Sequence, residues 1–430
     1  MTPIIYNLFP TLAGSVDTWP AHARRAERMG FNWLYVNPHS YPGFSGSLYA
    51  IKDYDRLHPA LEPAPKAGAA TGLAALAAAL EAIRKLGLEA MTDLVVNHTS
   101  RDNPLVETHR RWFRLEPDGQ VRSPRAIDPA DARNVTVWGD LAEVDNESSG
   151  DREALWAFWE ERIDRALDVG FTGFRCDAAY KVPGELWRRL IARARAREPR
   201  ALFLAETLGC RLEETAALAG VGFDYFYNSS KWWDLEAPWF LEQHEWLRDK
   251  APTISFPESH DTARVAAESG GSEAVQRQRY ALAALLAAGV QMTVGYEFGF
   301  RSQLHVVRTR PADWEQPTFD LQAFVRRVNR LKAEHPLLEG EGVLRALDWG
   351  APDVAVLLRA SDPAGTHRGV IAANRSLDGA REVAVDRAAL PAEARLLRLC
   401  ADRMPARGAA VPDRLRLEPA EVVLLATAPR

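Results

Sequence analysis

Four short apolar runs in this chain end in side chains able to move protons, carry charge or attack carbon. They are Asp93-Leu94-Val95-Val96-Asn97-His98, Arg175-Cys176-Asp177, Ala205-Glu206-Thr207 and Glu258-Ser259-His260-Asp261. A charged group adjoining a fully apolar strand is costly to bury unless it is paired. A structural ion pair, Arg175 with Asp93 or Asp177, accounts for any one of these ends taken alone. Carboxylates, an arginine and two histidines recurring at all four point instead to a reaction centre. Two carboxylates about 5–5.5 Å apart across a scissile bond support double displacement at a sugar anomeric carbon, one as nucleophile and one as acid and then base. Asp177 and Glu206 fit that pair if their runs are neighbouring strands. Arg175 projects to the same face as Asp177 and keeps that carboxylate ionised. Glu206, farther from the guanidinium, suits the raised pKa of a general acid. Cys176 alternates to the opposite face and reads as core.

The elements that must position these residues follow a repeated punctuation. A helical pattern ends at a glycine and a short apolar run follows, as at Gly30, Gly87, Gly170, Gly220 and Gly289. Glycine there serves as a left-handed cap. The runs are Ile4–Leu8, Trp33–Val36, Ala90–Val95, Phe174–Asp177, Leu202–Ala205, Phe223–Phe226, Thr253–Phe256 and Gln291–Val294. Mostly apolar and short, they read as strands buried on both faces of a parallel sheet. Amphipathic stripes lie between them, such as Leu155, Trp159, Ile163 and Leu167. Eight strand–helix units predict an α/β fold, a closed (β/α)₈ TIM barrel with catalytic groups at the C-terminal strand ends. A doubly wound open sheet is the alternative, and no phosphate-binding glycine fingerprint supports it. Residues 99–150 form a short insertion after the third strand. Beyond Pro336 the rhythm changes to brief β-like runs, from Val354–Leu358 to Val422–Leu425, which predict a C-terminal antiparallel β-domain. The expected division is residues 1–335 for the barrel and 336–430 for a β-sandwich.

Composition narrows the partners. The 430 residues carry 53 Lys and Arg against 58 Asp and Glu, a formal net charge of −5, which disfavours nucleic acid as a ligand. Three separated cysteines exclude a disulfide framework. No signal peptide or membrane span is read from the sequence, which predicts a cytoplasmic protein, monomer or homodimer. No cofactor motif or metal-ligand set stands out. The aromatic content, 13 Trp, 10 Tyr and 16 Phe, includes loop residues. Trp232 and Trp233, with Trp239, follow the sixth strand and are candidates for sugar stacking or for packing on the barrel. Tyr41 and Phe44 after the second strand divide the same way. The Arg188–Arg197 stretch reads as a solvated helix face. His244, His335 and His367 lie far from the strand ends and read as surface residues. Lys181, Lys231 and Arg264 are possible phosphate contacts, with structural or solvated charge as the simpler reading.

The motifs together resemble the α-amylase family, glycoside hydrolase family 13, over nearly the whole chain. Asp93–His98, Gly173–Ala178, Ala205–Thr207 and Ser259–Asp261 stand as its four conserved regions, and Leu141–Asn146 resembles its additional short region. The resemblance implies Asp177 as nucleophile, Glu206 as acid/base and Asp261 as the carboxylate holding sugar hydroxyls at the transition state. It implies Asp93, Arg175, His98 and His260 as contacts around the same sugar and Tyr49 as the stacking tyrosine under the reacting ring. It implies an α-glucan or maltooligosaccharide substrate, hydrolysed or transferred through a retaining mechanism. The sequence departs from many amylases after Asp177, with Ala178-Ala179-Tyr180-Lys181, and shows no calcium ligand set. His109–Phe113, Pro117-Asp118-Gly119 and Pro311–Trp314 are similar to the maltosyltransferase branch that uses maltose 1-phosphate, although that branch's extended N-terminal domains have no counterpart here. A barrel kept only for glucan binding or assembly is the reading from another class; retention of Asp177, Glu206 and Asp261 speaks against it.

Overall fold

The computed structural model describes residues 2–127, 131, 133–402 and 408–428; both expected domain ranges include residues outside that set. Eight strands, β1 (Ile4–Leu8), β2 (Trp33–Val36), β3 (Glu89–Leu94), β4 (Gly173–Cys176), β5 (Leu202–Ala205), β6 (Tyr225–Tyr227), β7 (Thr253–Ser255) and β8 (Gly289–Thr293), close into a barrel. Each pairs in parallel with its neighbours, and β1 closes against β8. Closure leaves no room for the doubly wound alternative. The strands are short and apolar because both faces are covered, inward by the barrel interior and outward by helices.

Helices α1 (Trp19–Arg28), α2 (Gly72–Arg84), α3 (Arg152–Val169), α4 (Gly184–Arg197), α5 (Leu212–Ala216), α6 (Trp239–Arg248), α7 (Glu273–Leu286) and α8 (Gln322–Glu334) follow the strands in turn. Helix α3 buries Leu155, Trp156, Trp159 and Ile163, and α4 buries Leu186, Trp187, Leu190, Ile191 and Ala194. Gly170 ends α3 at φ 116°, its N–H bonded to Ala166 O, a left-handed turn that a side chain would strain. Gly289 does not cap a helix. It lies inside β8, where a Cβ would come within 2.3 Å of Ile254 Cδ1, so close strand contact explains it.

Two loops carry structure that polar sequence concealed. After β2, Ser40–Pro42 and Ile51–Leu57 form an antiparallel hairpin with register shifts. After β3, His98–Ser100 pairs with Leu141–Glu143, and Arg125–Ile127 with Val135–Val137. Beyond α8 come β9 (Val343–Leu347), β10 (Val354–Ala360), β11 (Arg368–Asn374), β12 (Arg381–Ala384), β13 (Arg395–Arg398), β14 (Ala409–Ala410), β15 (Arg414–Leu417) and β16 (Val422–Ala426). Six of them form a sheet in the order β9-β10-β11-β16-β13-β14, and β12 pairs with β15. One face of this sheet shares a core with β12 and β15 through Val356, Val370, Val383 and Leu415. Its other face, with Leu357, Ile371 and Leu424, joins the core that contains Leu282 and Val328 of the barrel helices.

His244 and His335 correct the expectation of surface residues. Both are buried, His244 with Nδ1 3.4 Å from Glu341 and His335 with Nε2 2.9 Å from Thr427 O. His367 is partly exposed. The arginine face of α4 is also more than solvated charge. Arg189 bonds Glu153 and Glu160, and Arg193 bonds Asp164, all on α3. Among the described residues no helix is long and apolar enough to cross a membrane.

Candidate active site

Strand register makes the first contacts. Arg175 stands opposite Asp93 across the β4–β3 pairing. Its Nη1 donates to Asp93 Oδ1 at 2.8 Å and to Asp177 Oδ1 at 2.6 Å, and Nη2 lies 3.9 Å from Glu206 Oε2. One guanidinium thus reaches three carboxylates. Burial opposes its charge, but its neighbours, Asp93 first and then Tyr35, Tyr49 and Asp177, outweigh burial and raise its pKa. Asp93 Oδ2 also accepts from the hydroxyls of Tyr35 at 2.5 Å and Tyr49 at 2.9 Å. Asp93 is therefore a buried, fully bonded anchor for Arg175. Burial raises its pKa and Arg175 opposes that shift.

Asp177 follows β4 by one residue, and the chain then turns sharply. Ala178 is left-handed at φ 40°, ψ 51°, a conformation costing an L-residue roughly 1–2 kcal/mol. This turn aims the Ala178 N–H at Glu206 Oε2 at 2.8 Å, while the Leu208 N–H reaches Oε1 at 2.9 Å. Glu206 is buried at the end of β5, and burial is the main reason its pKa rises to about 7; Arg175 lowers it and Asp177 raises it. At neutral pH this carboxyl is poised between its two protonation states.

Asp261 reaches the same opening from the segment after β7. Its side chain is 63% exposed, and its Oδ2 lies 3.0 Å from His260 Nε2. Desolvation at the rim would raise the Asp261 carboxyl, but the charge and hydrogen bond of His260 overcome it and hold the pKa at about 2. His260 responds in the opposite sense: burial lowers its pKa, Asp261 raises it, and the net direction is up. Tyr49 lies flat on His260, ring centroids 5.6 Å apart and planes 6° from parallel, with its hydroxyl 2.8 Å from Nε2. His98 is buried, which lowers its pKa. His98 Nε2 and His260 Nδ1 are buried without a hydrogen-bond partner of good geometry within the protein.

Arg175, Glu206, His260 and Asp261 line one cavity, together with Tyr35, Tyr227 and Gln291. Tyr227 OH donates to Gln291 Oε1 at 2.6 Å. Tyr35, Tyr227 and Gln291 were not singled out in the sequence. A polar Gln291 within an otherwise apolar strand was the available signal. Larger hollows lie elsewhere, about 670 Å³ between α7 and the C-terminal sheet and about 640 Å³ beside the loop after β8. Neither contains a carboxylate of this cluster, so chemistry rather than volume identifies the site.

The outer candidates separate. Trp233 is 3% exposed, packed on Phe240 and bonded to Gln243 Oε1, which corrects the expectation of a sugar-stacking surface. Trp232 is 52% exposed and meets Phe256, a residue of the cavity wall, edge to face. Lys181 is exposed, with its ammonium 5.3 Å from the Tyr180 ring, and stands outside the carboxylate cluster. Lys231 pairs with Glu268, and buried Arg264 bonds Glu258 at 2.6 Å, so neither offers a free charge to phosphate.

Comparison with known proteins agrees with the fold. The family profile of a glycogen debranching enzyme glucanotransferase domain matches residues 4–111. An alpha-1,4-glucan:maltose-1-phosphate maltosyltransferase of Burkholderia pseudomallei is 30% identical over 371 residues, covering 83% of this chain and 31% of the relative. The Salinibacter ruber protein of the same name is 28% identical over 403 residues, covering 83% of this chain and 57% of the relative. The chain thus spans only about a third to just over half of these curated relatives. Among solved structures, the alpha-amylase of Geobacillus thermoleovorans in complex with acarbose superposes with a TM-score of 0.76 at 17% identity, over 98% of each chain. The trehalose-6-phosphate hydrolase of Bacillus licheniformis gives 0.74 at 13% identity over 99% of each.

Proposed function

We propose that this chain, a relative of the maltose-1-phosphate maltosyltransferases built on the α-amylase fold, is a retaining enzyme acting on α-1,4-glucosidic units of an α-glucan or maltooligosaccharide. The observation that carries this reading is the single guanidinium of Arg175 touching both Asp177 and Glu206. A shared guanidinium, 2.6 Å from Asp177 and 3.9 Å from Glu206, supports a close pair of the retaining kind, about 5–5.5 Å apart, over an inverting pair, which stands farther apart to admit water.

In this reading Asp177 attacks the anomeric carbon as Glu206 gives its proton to the departing glycosidic oxygen. The bond to the leaving group breaks as the bond to Asp177 Oδ forms. Glu206, now ionised, takes a proton from water or a sugar hydroxyl, and that oxygen displaces Asp177. Backbone N–H groups of Ala178 and Leu208 hold the ionised Glu206 between the two steps. Asp261, anionic at neutral pH, is free to bind sugar hydroxyls at the opening, with His98 and His260 beside it. In this reading Tyr49 stacks under the reacting ring, and Trp232, exposed and set against Phe256 of the cavity wall, offers a further ring surface.

A second reading, transfer from maltose 1-phosphate, is favoured by the names of the relatives; exposed Lys181, four residues after Asp177, is then a contact for the departing phosphate. Product analysis with maltoheptaose, with and without maltose 1-phosphate, tests both. Free maltose with α configuration supports hydrolysis, longer chains support transglycosylation, and released phosphate with chain extension supports the maltosyltransferase. No product from either donor, or a β-configured first product, contradicts the reading.

A further inference from the structure

We infer that Phe44 is a fixed stacking surface for a glucosyl residue on the donor side of the site, away from the bond that is cut. The inference rests on the α-glucan reading above. Phe44 is 68% exposed, more than any other large apolar side chain among the described residues. An exposed ring alone means little. Its backbone is what sets it apart.

Phe44 sits in the loop of the hairpin after β2, and that loop is braced at both ends. At Gly43 a Cβ would fall 1.8 Å from Ser100 Oγ and 2.3 Å from Asp102 Oδ1, so the backbone is pressed against the loop after β3. Asp102 gathers the contact: it accepts from the Phe44 N–H at 3.3 Å, from Ser100 Oγ at 2.5 Å and from Lys52 Nζ at 2.8 Å. At the other end the Leu48 N–H bonds Val306 O at 3.0 Å, in the loop after β8. Within the loop, the Gly43 N–H bonds Ala50 O at 2.8 Å and the Gly46 N–H bonds Gly43 O at 2.9 Å. An unpacked ring on an immobilised backbone is preorganised for a ligand, because little further order is lost on binding.

The same loop leads directly to Tyr49, whose hydroxyl meets Asp93 and His260 inside the site. Phe44 is thus five residues along the chain from a side chain of the site. The neighbouring cation, Lys52, is neutralised by Asp102, which favours an uncharged ligand. Aromatic faces suit the C–H faces of a sugar ring. The flanking residues Gly43, Ser45 and Gly46 form no wider apolar patch, which disfavours a protein surface as occupant. The side follows from the barrel order. Glu206 comes from β5 and protonates the leaving oxygen, so the departing sugars extend on that side. The loop after β2 stands three strands round the barrel from β5, away from that side, and the retained part of the chain is inferred to run there.

The test is calorimetric titration of maltotriose and maltoheptaose into protein carrying Asp177→Asn to block turnover, with and without Phe44→Ala. The exposed position makes a folding defect improbable on physical grounds. Loss of the ring should weaken maltoheptaose about tenfold and maltotriose by less than about twofold, with Phe44→Trp restoring the difference. Asp102→Ala, which frees the loop, should give a smaller loss with the same length dependence. Equal weakening of both sugars, or none, overturns the inference. Turnover by the unsubstituted protein is scored separately. Turnover with Phe44-independent binding sinks the stacking surface and spares the enzyme. Phe44-dependent binding without turnover does the reverse, and no glucan binding at all sinks both.

Discussion

Glu206 titrates near neutrality because it is buried at a strand end, with Arg175 close enough to temper the shift but not to cancel it. A general acid must be protonated to act, so the sign is fixed: activity belongs to the low-pH side of that pKa. We expect kcat/KM on glucan to fall about tenfold per pH unit above about pH 7. Glu206→Gln should abolish that limb and slow glucan strongly, yet spare kcat/KM for a glycosyl fluoride, whose leaving group needs no proton in the first step. A pH–rate series on both substrates checks this, and a limb at the same pH in the variant would assign it to another group. The neighbouring residues were unevenly legible. Asp177, Glu206, Arg175, His98 and Asp261 stand at the ends of apolar runs, where charge is conspicuous. Tyr35 and Tyr227 were hidden because an aromatic in a buried strand looks like core whether or not its hydroxyl bonds a carboxylate. Trp232 and Trp233 are adjacent in a segment without periodicity, so nothing in the sequence told which one faces solvent.

At the scale of elements, the segment that presents Asp261 depends on one buried ion pair. Glu258 takes Arg264 Nη1 at 2.6 Å and the Val265 N–H at 2.7 Å, while Arg264 Nε reaches Ser302 O at 3.2 Å in the loop after β8. Removing one partner of a buried pair leaves the other charge uncompensated. Arg264→Met should therefore cost about 3–5 kcal/mol, whereas Arg193→Ala, which breaks an exposed α4–α3 pair, should cost about 0.2–1 kcal/mol. Urea midpoints of the two variants test the contrast, and equal shifts would refute it. The eight barrel strands were readable because burial on both faces makes them uniformly apolar. The hairpin after β2 was not, since Ile51–Leu57 is largely polar and its register is irregular. Strand β9 escaped notice because its Arg345 and Ala346 are exposed and break the apolar run.

For the whole molecule, the C-terminal sheet is more than an appendage. Leu344, Leu357, Ile371 and Leu424 share a core with the barrel helices. Glu341, just before β9, accepts from the Thr253 N–H at 2.7 Å, the Thr253 hydroxyl at 2.6 Å and the Ala288 N–H at 3.0 Å, so it holds the N-terminal ends of β7 and β8. We propose a division near residue 335 in the chain but a single unit in folding. Thermal unfolding followed by far-ultraviolet circular dichroism and by tryptophan fluorescence should give coincident transitions. Glu341→Ala should lower stability by about 3–5 kcal/mol, leaving several buried donors unpaired, without splitting the transition. Separate melting of the C-terminal sheet would contradict this. The near-balanced charge that disfavoured nucleic acid also suits a neutral polysaccharide, held by rings and hydrogen bonds.

The central claim is that Asp177 forms a covalent bond to the sugar. Peptide mass spectrometry after incubation with a deactivated fluorinated maltosyl fluoride, which forms the intermediate faster than it is released, tests it most directly. One maltosyl adduct is expected on the peptide containing Asp177 and none in Asp177→Asn. An adduct on Glu206 or Asp261, or glucan turnover with no adduct at all, would contradict it.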